Sequence, residues 1–386
     1  MFDSLLNAVR AYQHFGWIAL IATVFLTPLA MRLAQRFGIL DIPDQQLKPH
    51  ARPTPYLGGA AIGLAWAAAL IAAMLLGRCE WHSLLPLLLG GLAMSVLGLV
   101  DDIRHLSPRI RLLIGAVVIL TVVLTTGAGF DLVPSVLSGA ATVLHVPLPV
   151  PYFMTLPLSV LISLLIVLGA CNSTNLIDGL DGLCSGVTAL ISLGFFLLAS
   201  HLTNWDFSAT GDPVRMVLAI AMCGAALGFL PWNFHPAKVF MGDAGSVLLG
   251  YNCGMLILLF AEQGKFRWVL GALMIFALPV FDTALAMFRR WRSGRSIFEG
   301  DRSHFYDQLV HRGLSVRQTV LVCYALTVVY AAIGLLMMWV GPDGPVIRTR
   351  WAVLLYVGVV VVTALLAWKA GLTHPEQQPD SPPEKP

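Results

Sequence analysis

Charge is what this 386-residue chain has least of: Asp, Glu, Lys and Arg make up 12% of it, against roughly 25% in ordinary soluble domains. A chain so poor in charge cannot clothe a folded surface for water, which excludes an ordinary soluble globule. Net charge is only +3 and no basic run stands out, so nucleic acid is excluded as a partner. The six cysteines, at 79, 171, 184, 223, 253 and 323, stand singly with no CxxC pair. That leaves no disulfide framework and no thiolate metal site, and they read as small core residues. No small-residue cleavage site follows the first apolar run, which outlasts a signal peptide and is expected to be a retained helix. Neither a second domain nor an internal repeat is visible.

Apolar residues make up 57% of the chain, and the mean hydropathy is +0.79. Stretches long enough to cross a hydrocarbon core of ~30 Å lie near 16–37, 57–77, 83–100, 110–127, 153–170, 182–200, 212–230, 244–262, 267–288, 317–340 and 351–371. The expected fold is an all-α polytopic membrane protein of about eleven transmembrane helices. A single integral-membrane domain is expected over 1–371, and the Pro-rich residues 372–386 are expected to form a disordered tail. Residues 130–152, apolar but broken by proline, are too short to span and are expected to form an interfacial hairpin or short helix outside.

Eleven spans put the two ends on opposite sides, which splits the loops into two sets. The set with loops 38–56, 101–109, 171–181, 231–243, 289–316 and the C-terminus, flanks included, holds 17 of the 24 Lys+Arg. By the positive-inside rule this set is cytoplasmic and the N-terminus periplasmic. Asp101, Asp102, Asp178, Asp181, Asp243, Asp301 and Asp307 all fall in the same set, so polar chemistry gathers on one side.

Five segments carry that chemistry. In GLVDDIRHLSPRIR, Asp101 and Asp102 repel each other unless a cation, a metal or one of Arg104, Arg109 and Arg111, offsets them; a solvated helix end is the plainer alternative. In NSTNLIDGLDGL, Asn172, Asn175, Asp178 and Asp181 recur every third residue and share one helical face. In NFHPAKVFMGDAGS, Asp243 opens a helix whose amides could meet an anion, with Lys238 as an added positive charge and Phe240 as a flat ring suited to a base. Asp243 could equally be a simple helix cap. In ALPVFDTALAM, Asp282 sits in an apolar run, where a carboxylate costs roughly 2.5 to 3.5 kcal/mol; it is expected near the floor of a shallow cytoplasmic pocket or paired with an arginine. The loop RRWRSGRSIFEGDRSHFYDQLVHRGLS offers Arg302 and His304 to phosphate, and Lys48, His50 and Arg52 are further candidates.

DDIR, NSTNLIDGLDGL, HPAKVFMGDAGS, PVFDT and GRSIFEGDRSH, in this order and spacing, resemble the polyprenyl-phosphate N-acetylhexosamine-1-phosphate transferases of glycosyltransferase family 4, nearer to the WecA-like than to the MraY-like branch. The resemblance implies a UDP-sugar donor, UDP-GlcNAc first, a polyprenyl phosphate acceptor in membrane lipid, and Mg2+ or Mn2+ as cofactor. It implies catalytic roles for Asp101, Asp102 and Asp181, metal ligation by Asp243 and Asp178, and substrate binding by Lys48, Asn175, Asp178, Lys238, Phe240, Arg302 and His304. His304 matches the first histidine of the family's signature, but Phe305, Tyr306 and Asp307 follow where more histidines are usual. An inner-membrane location with a cytoplasmic site follows, and a homodimer is one open assembly. A phospho-MurNAc-pentapeptide transferase is the alternative enzyme, and a secondary transporter or a catalytically silent scaffold the alternatives of another class.

Overall fold

The computed structural model describes residues 2–42, 53–146, 150–202, 212–261, 266–294, 304–341 and 344–372. Along them run α1 (Phe2–Phe37), α2 (Gly58–Leu75), α3 (Trp81–Arg104), α4 (Pro108–Thr126), α5 (Leu132–Leu144), α6 (Tyr152–Ile177) and α7 (Leu183–Leu202). There follow α8 (Pro213–Asn233), α9 (Gly242–Ala261), α10 (Phe266–Ile275), α11 (Ala277–Arg292), α12 (Phe305–His311), α13 (Val316–Met338) and α14 (Thr349–Lys369). Strand is confined, among the described residues, to two antiparallel ladders of two-residue strands, Leu40–Asp41 with Thr54–Pro55 and Val340–Gly341 with Gly344–Pro345.

Ten helices are long and apolar enough to cross a membrane, and the pair α10 and α11 makes an eleventh if counted as one span. The chain is therefore a multi-pass, all-α membrane protein, and each expected span is met by a helix or by that pair. Boundaries follow local chemistry. Ser107 accepts from the Ile110 amide and Pro108 opens α4, while Gly127, at φ +71°, closes it. Asp212 caps α8 with Pro213 behind it, and Ser315 and Gln318 form a capping box on α13.

At the centre stands α9, whose span is buried throughout; the span of α14, on the rim, is 11% buried. Lipid tails are as apolar as leucine, so burial alone does not draw these helices together, and close backbone approach does. Gly250 supplies it: a Cβ there would overlap Thr174 and the Ala170 carbonyl of α6. The outer faces keep Phe25, Leu113, Leu165, Leu354 and Leu366 exposed, as a lipid-facing surface requires. All six cysteines are free and buried, as core residues.

Two expectations change. The stretch expected as one span at 267–288 is broken at Phe276 by a 74° bend. Pro279 is the cause, since it lacks the amide that would bond the Ile275 carbonyl and its ring clashes with that carbonyl. Leu372, assigned to the tail, is 5% exposed and its carbonyl accepts from Arg289 and Gln308. The remainder of the tail lies outside the described residues. Over 130–152 the short-helix alternative holds, as α5.

Candidate active site

Four helix ends meet where the carboxylates gather. Asp101 and Asp102 occupy the last turn of α3, and neighbours on a helix point about 100° apart, so they serve different partners. Asp101 is 8% exposed. Its Oδ1 accepts the Leu106 amide at 2.7 Å, folding the chain back under the helix, and its Oδ2 lies 2.7 Å from Nη1 of Arg111. The same Nη1 is 2.9 Å from Oδ2 of Asp243. Asp102 instead accepts the amides of Asp243 at 3.0 Å and Ala244 at 3.2 Å. It thus caps α9 from another helix, setting a carboxylate on the positive end of the dipole. Gly98 lets α3 approach so closely, since a Cβ there would overlap the Asp243 carbonyl.

Asp243 is held from both sides. Nδ2 of Asn175, in the last turns of α6, donates to Asp243 Oδ1 at 2.6 Å and lies 3.0 Å from Ser246 Oγ. Asn175 and Asp243 therefore meet as expected, whereas Asn172 turns back to the Leu168 carbonyl at 2.8 Å. The one-face stripe ends with α6 at Ile177. Asp178, half-buried just beyond it, is pushed well above the usual carboxylate range by burial and then by the charges of Asp243, Asp102 and Asp181. That is the mark of a site short of positive charge.

Asp181 is placed a little apart. Its Oδ2 lies 2.7 Å from His235 Nδ1 and accepts the Ala237 amide at 3.0 Å. Asn233 joins the same loop, accepting from the Gly182 amide and donating to the Val239 carbonyl, both at 3.1 Å. Lys238 is exposed with Nζ 5.6 Å from the Trp232 ring centroid. Phe240 is pinned by its backbone: its amide donates to the Pro55 carbonyl at 2.8 Å and its carbonyl accepts from Gly58 at 3.0 Å. Just after Pro55, Tyr56 donates to the Asp102 carbonyl at 3.3 Å.

The last segment arrives through α12. His304 is buried, with Nδ1 2.7 Å from Oδ2 of Asp282, so Asp282 pairs with a histidine and not with an arginine. Asp307 accepts the His304 amide at 3.2 Å, and burial pushes its carboxyl up to about 6 against the pull of His304. Tyr306 stacks on His304 and its hydroxyl donates to the Leu176 carbonyl at 2.8 Å. Sequence reasoning missed Tyr306, Tyr56, His235 and the bridging place of Arg111; only the departure from the histidine signature pointed at Tyr306. Lys48 and Arg302, with His50 and Arg52, lie outside the described residues.

A hard divalent cation fits this donor set in kind, since the donors are carboxylate and amide oxygens. Among the described residues, however, no three His, Cys, Asp or Glu side chains are set to hold one ion, and Arg111 fills the space between Asp101 and Asp243. Magnesium commonly takes one or two carboxylates and completes its shell with waters and substrate phosphates. Asp178 and Asp243 fit that pattern.

Known proteins match the chain along most of its length. The profile of glycosyl transferase family 4 covers residues 84–261, which run from α3 through α9. A probable undecaprenyl-phosphate N-acetylglucosaminyl 1-phosphate transferase of Bacillus subtilis is 30% identical over 369 residues, 94% of this chain and 93% of its own. A decaprenyl-phosphate N-acetylglucosaminephosphotransferase of Mycolicibacterium smegmatis is 30% identical over 82% of this chain and 79% of its own. A phospho-N-acetylmuramoyl-pentapeptide-transferase of Desulforudis audaxviator is 31% identical, covering 82% and 95%. With Asp101, Asp102, Arg111 and Asn175 meeting at Asp243 on the first turn of α9 and relatives of 30% identity covering 94% and 82% of the chain, the chain belongs to the polyprenyl-phosphate N-acetylhexosamine-1-phosphate transferases of glycosyl transferase family 4.

Proposed function

We propose that the chain transfers GlcNAc-1-phosphate from UDP-GlcNAc to undecaprenyl phosphate, at the cytoplasmic face of a bacterial inner membrane, for envelope polysaccharide synthesis. The observation that carries this is the cluster Asp101, Arg111, Asp243 and Asn175 on the N-terminus of α9, with Asp178 beside it. An apolar crevice lined by Met94, Leu97, Leu112, Leu168 and Val247 opens next to Arg111 and Asn175. Charge beside a greasy crevice suits two substrates, one a water-soluble diphosphate and the other a lipid phosphate. The bias of Lys and Arg supports the cytoplasmic side.

In the reaction an oxygen of the acceptor phosphate attacks the sugar-proximal phosphorus of the donor. The bond from that phosphorus to the bridging oxygen breaks, and UMP leaves with the oxygen. Magnesium held by Asp178 and Asp243 would supply electrostatic stabilisation of the diphosphate. A phosphate monoester, with a second pKa near ~6, is already mostly ionised at pH 7. Asp101 and Asp102 are therefore given positioning and charge control: Asp101 holds Arg111, and Asp102 sets the helix bearing Asp243. Asp181 steadies the loop with Lys238 and Phe240, which are given the uridine end of the donor. Lys48, Arg302 and His304 are given its phosphates.

The Desulforudis relative keeps a second donor in view, UDP-MurNAc-pentapeptide. Supplying each donor separately with undecaprenyl phosphate and following UMP release decides between them. Turnover with UDP-GlcNAc alone is expected; turnover with the pentapeptide donor alone would overturn the choice of sugar.

A further inference from the structure

Asp282 has no part in the chemistry above, yet 3% of it is exposed, and His304 beside it is 4% exposed. A carboxylate in such surroundings costs several kcal/mol unless its lone pairs are met. They are met from one short stretch of chain: Oδ2 lies 2.7 Å from His304 Nδ1, and Oδ1 accepts the Phe305 amide at 2.7 Å. The consequence is directional. With Nδ1 donating to Asp282, Nε2 is the ring nitrogen left for a ligand.

The plane of the ring is fixed as well. It stacks on Tyr306 at 4° and 5.4 Å between centroids, and the Tyr306 hydroxyl is tied to the Leu176 carbonyl, two residues before Asp178. His304 is thereby keyed both to α11 and to the turn that carries the carboxylates. The side chain of Asp307 does not compete for the ring, because it takes the His304 amide.

We propose that Asp282 is the positioning residue for His304, committing Nδ1 so that Nε2–H meets the donor's diphosphate and balancing the imidazolium charge this bond requires. The proposal rests on the placement of His304 at the donor site argued above. Only a carboxylate can do it. An amide at 282 could accept one of the two bonds, and its NH2 would then face the other donor. Glutamate keeps both acceptors and the charge.

The test uses the purified full-length protein, UDP-GlcNAc and undecaprenyl phosphate. Charge on the bridging oxygen grows as its bond breaks, so lost orientation falls on kcat more than on KM. Asp282→Asn is expected to lower kcat about 10- to 100-fold, as for other histidine-orienting carboxylates, with donor KM within about threefold. Asp282→Glu should restore most of the rate. The 15N resonances of His304, assigned by their loss in His304→Asn, should move in Asp282→Asn and return in Asp282→Glu. In the His304→Asn background, Asp282→Asn should add less than about twofold, as for residues acting as a unit.

Wild-type kcat in Asp282→Asn with a lowered Tm would make the pair a structural tie and overturn the proposal, as would losses that multiply in the double variant. A neutral His304→Asn would instead remove His304 from the donor site, a separate failure. If Asp282→Asn does not fold, Asp282→Glu alone and over His304→Asn completes the cycle. Native 15N shifts in that variant with unrestored kcat would also end the proposal.

Discussion

Asp102 caps the helix whose first turn carries Asp243: its two oxygens accept the amides of Asp243 and Ala244, at 3.0 and 3.2 Å. A residue next to a catalytic candidate in sequence thus acts on the backbone of another candidate more than a hundred positions away. Asp102→Ala should cost about 1 to 2 kcal/mol of stability as a lost cap. It should also lower turnover at least about tenfold, because Asp243 moves with its helix. Thermal unfolding in detergent and UMP release read the two effects.

Gly98, one turn before Asp102 on α3, packs on the same part of α9. A Cβ there would overlap the Asp243 carbonyl and press on the Ala244 amide, both backbone atoms that cannot swing away. Gly98→Ala should therefore cost about 1 to 3 kcal/mol as overpacking. Since it breaks the cap that Asp102→Ala removes, the double variant should lose much less than the sum.

Arg111 bonds Asp101 and Asp243 through one nitrogen, at 2.7 and 2.9 Å. Removing it leaves two part-buried carboxylates facing each other. Arg111→Met is expected to destabilise by about 1.5 to 3 kcal/mol, the range for charged hydrogen bonds, and Arg111→Lys by less because the charge remains. A double-mutant cycle between Arg111 and Asp101 measures the coupling.

Much of this fold can be read from composition, because a run of apolar residues long enough for a bilayer has few other uses. The break at Phe276 escapes that reading since α10 and α11 keep apolar character across it, and only the position of Pro279 hints at a stop. The spacing from Asn172 to Asp181 predicts one polar stripe, on a helical face or a 3₁₀ turn. α6 ends at Ile177 and the chain turns on through Gly182, at φ +81°, so Asn172 bonds its own helix while Asp181 joins the loop at His235. The pairing of Arg111 with Asp243, like that of Tyr306 with Leu176, joins residues over a hundred positions apart and leaves no local pattern. Asp243 was expected as its own helix cap or as a site residue; the cap comes from Asp102.

The carboxyl of Asp307, pushed up to about 6 by burial from an ordinary value of 3.8, gives a pH test. A raised carboxyl favours the folded state when protonated, so its contribution is whole below about 3.8 and is lost as the pH rises through about 6. Asp307→Asn should gain Tm relative to wild type as the pH rises from about 3.8 to about 6, the window those two values set. Thermal unfolding of both proteins across that range checks the sign.

Asp178 and Asp243 are given the cation, and the reaction depends on that assignment more than on any other. The most direct measurement is UMP release from UDP-GlcNAc and undecaprenyl phosphate by purified wild type, Asp178→Asn and Asp243→Asn, titrated with Mg2+ and then stripped with chelator. The account predicts UMP and lipid-linked sugar in equal amounts, turnover that vanishes with chelator, and variants that lose at least about a hundredfold in rate, as removal of a central electrostatic group does. Full turnover in chelator, or wild-type rates and Mg2+ dependence in both variants, would contradict it.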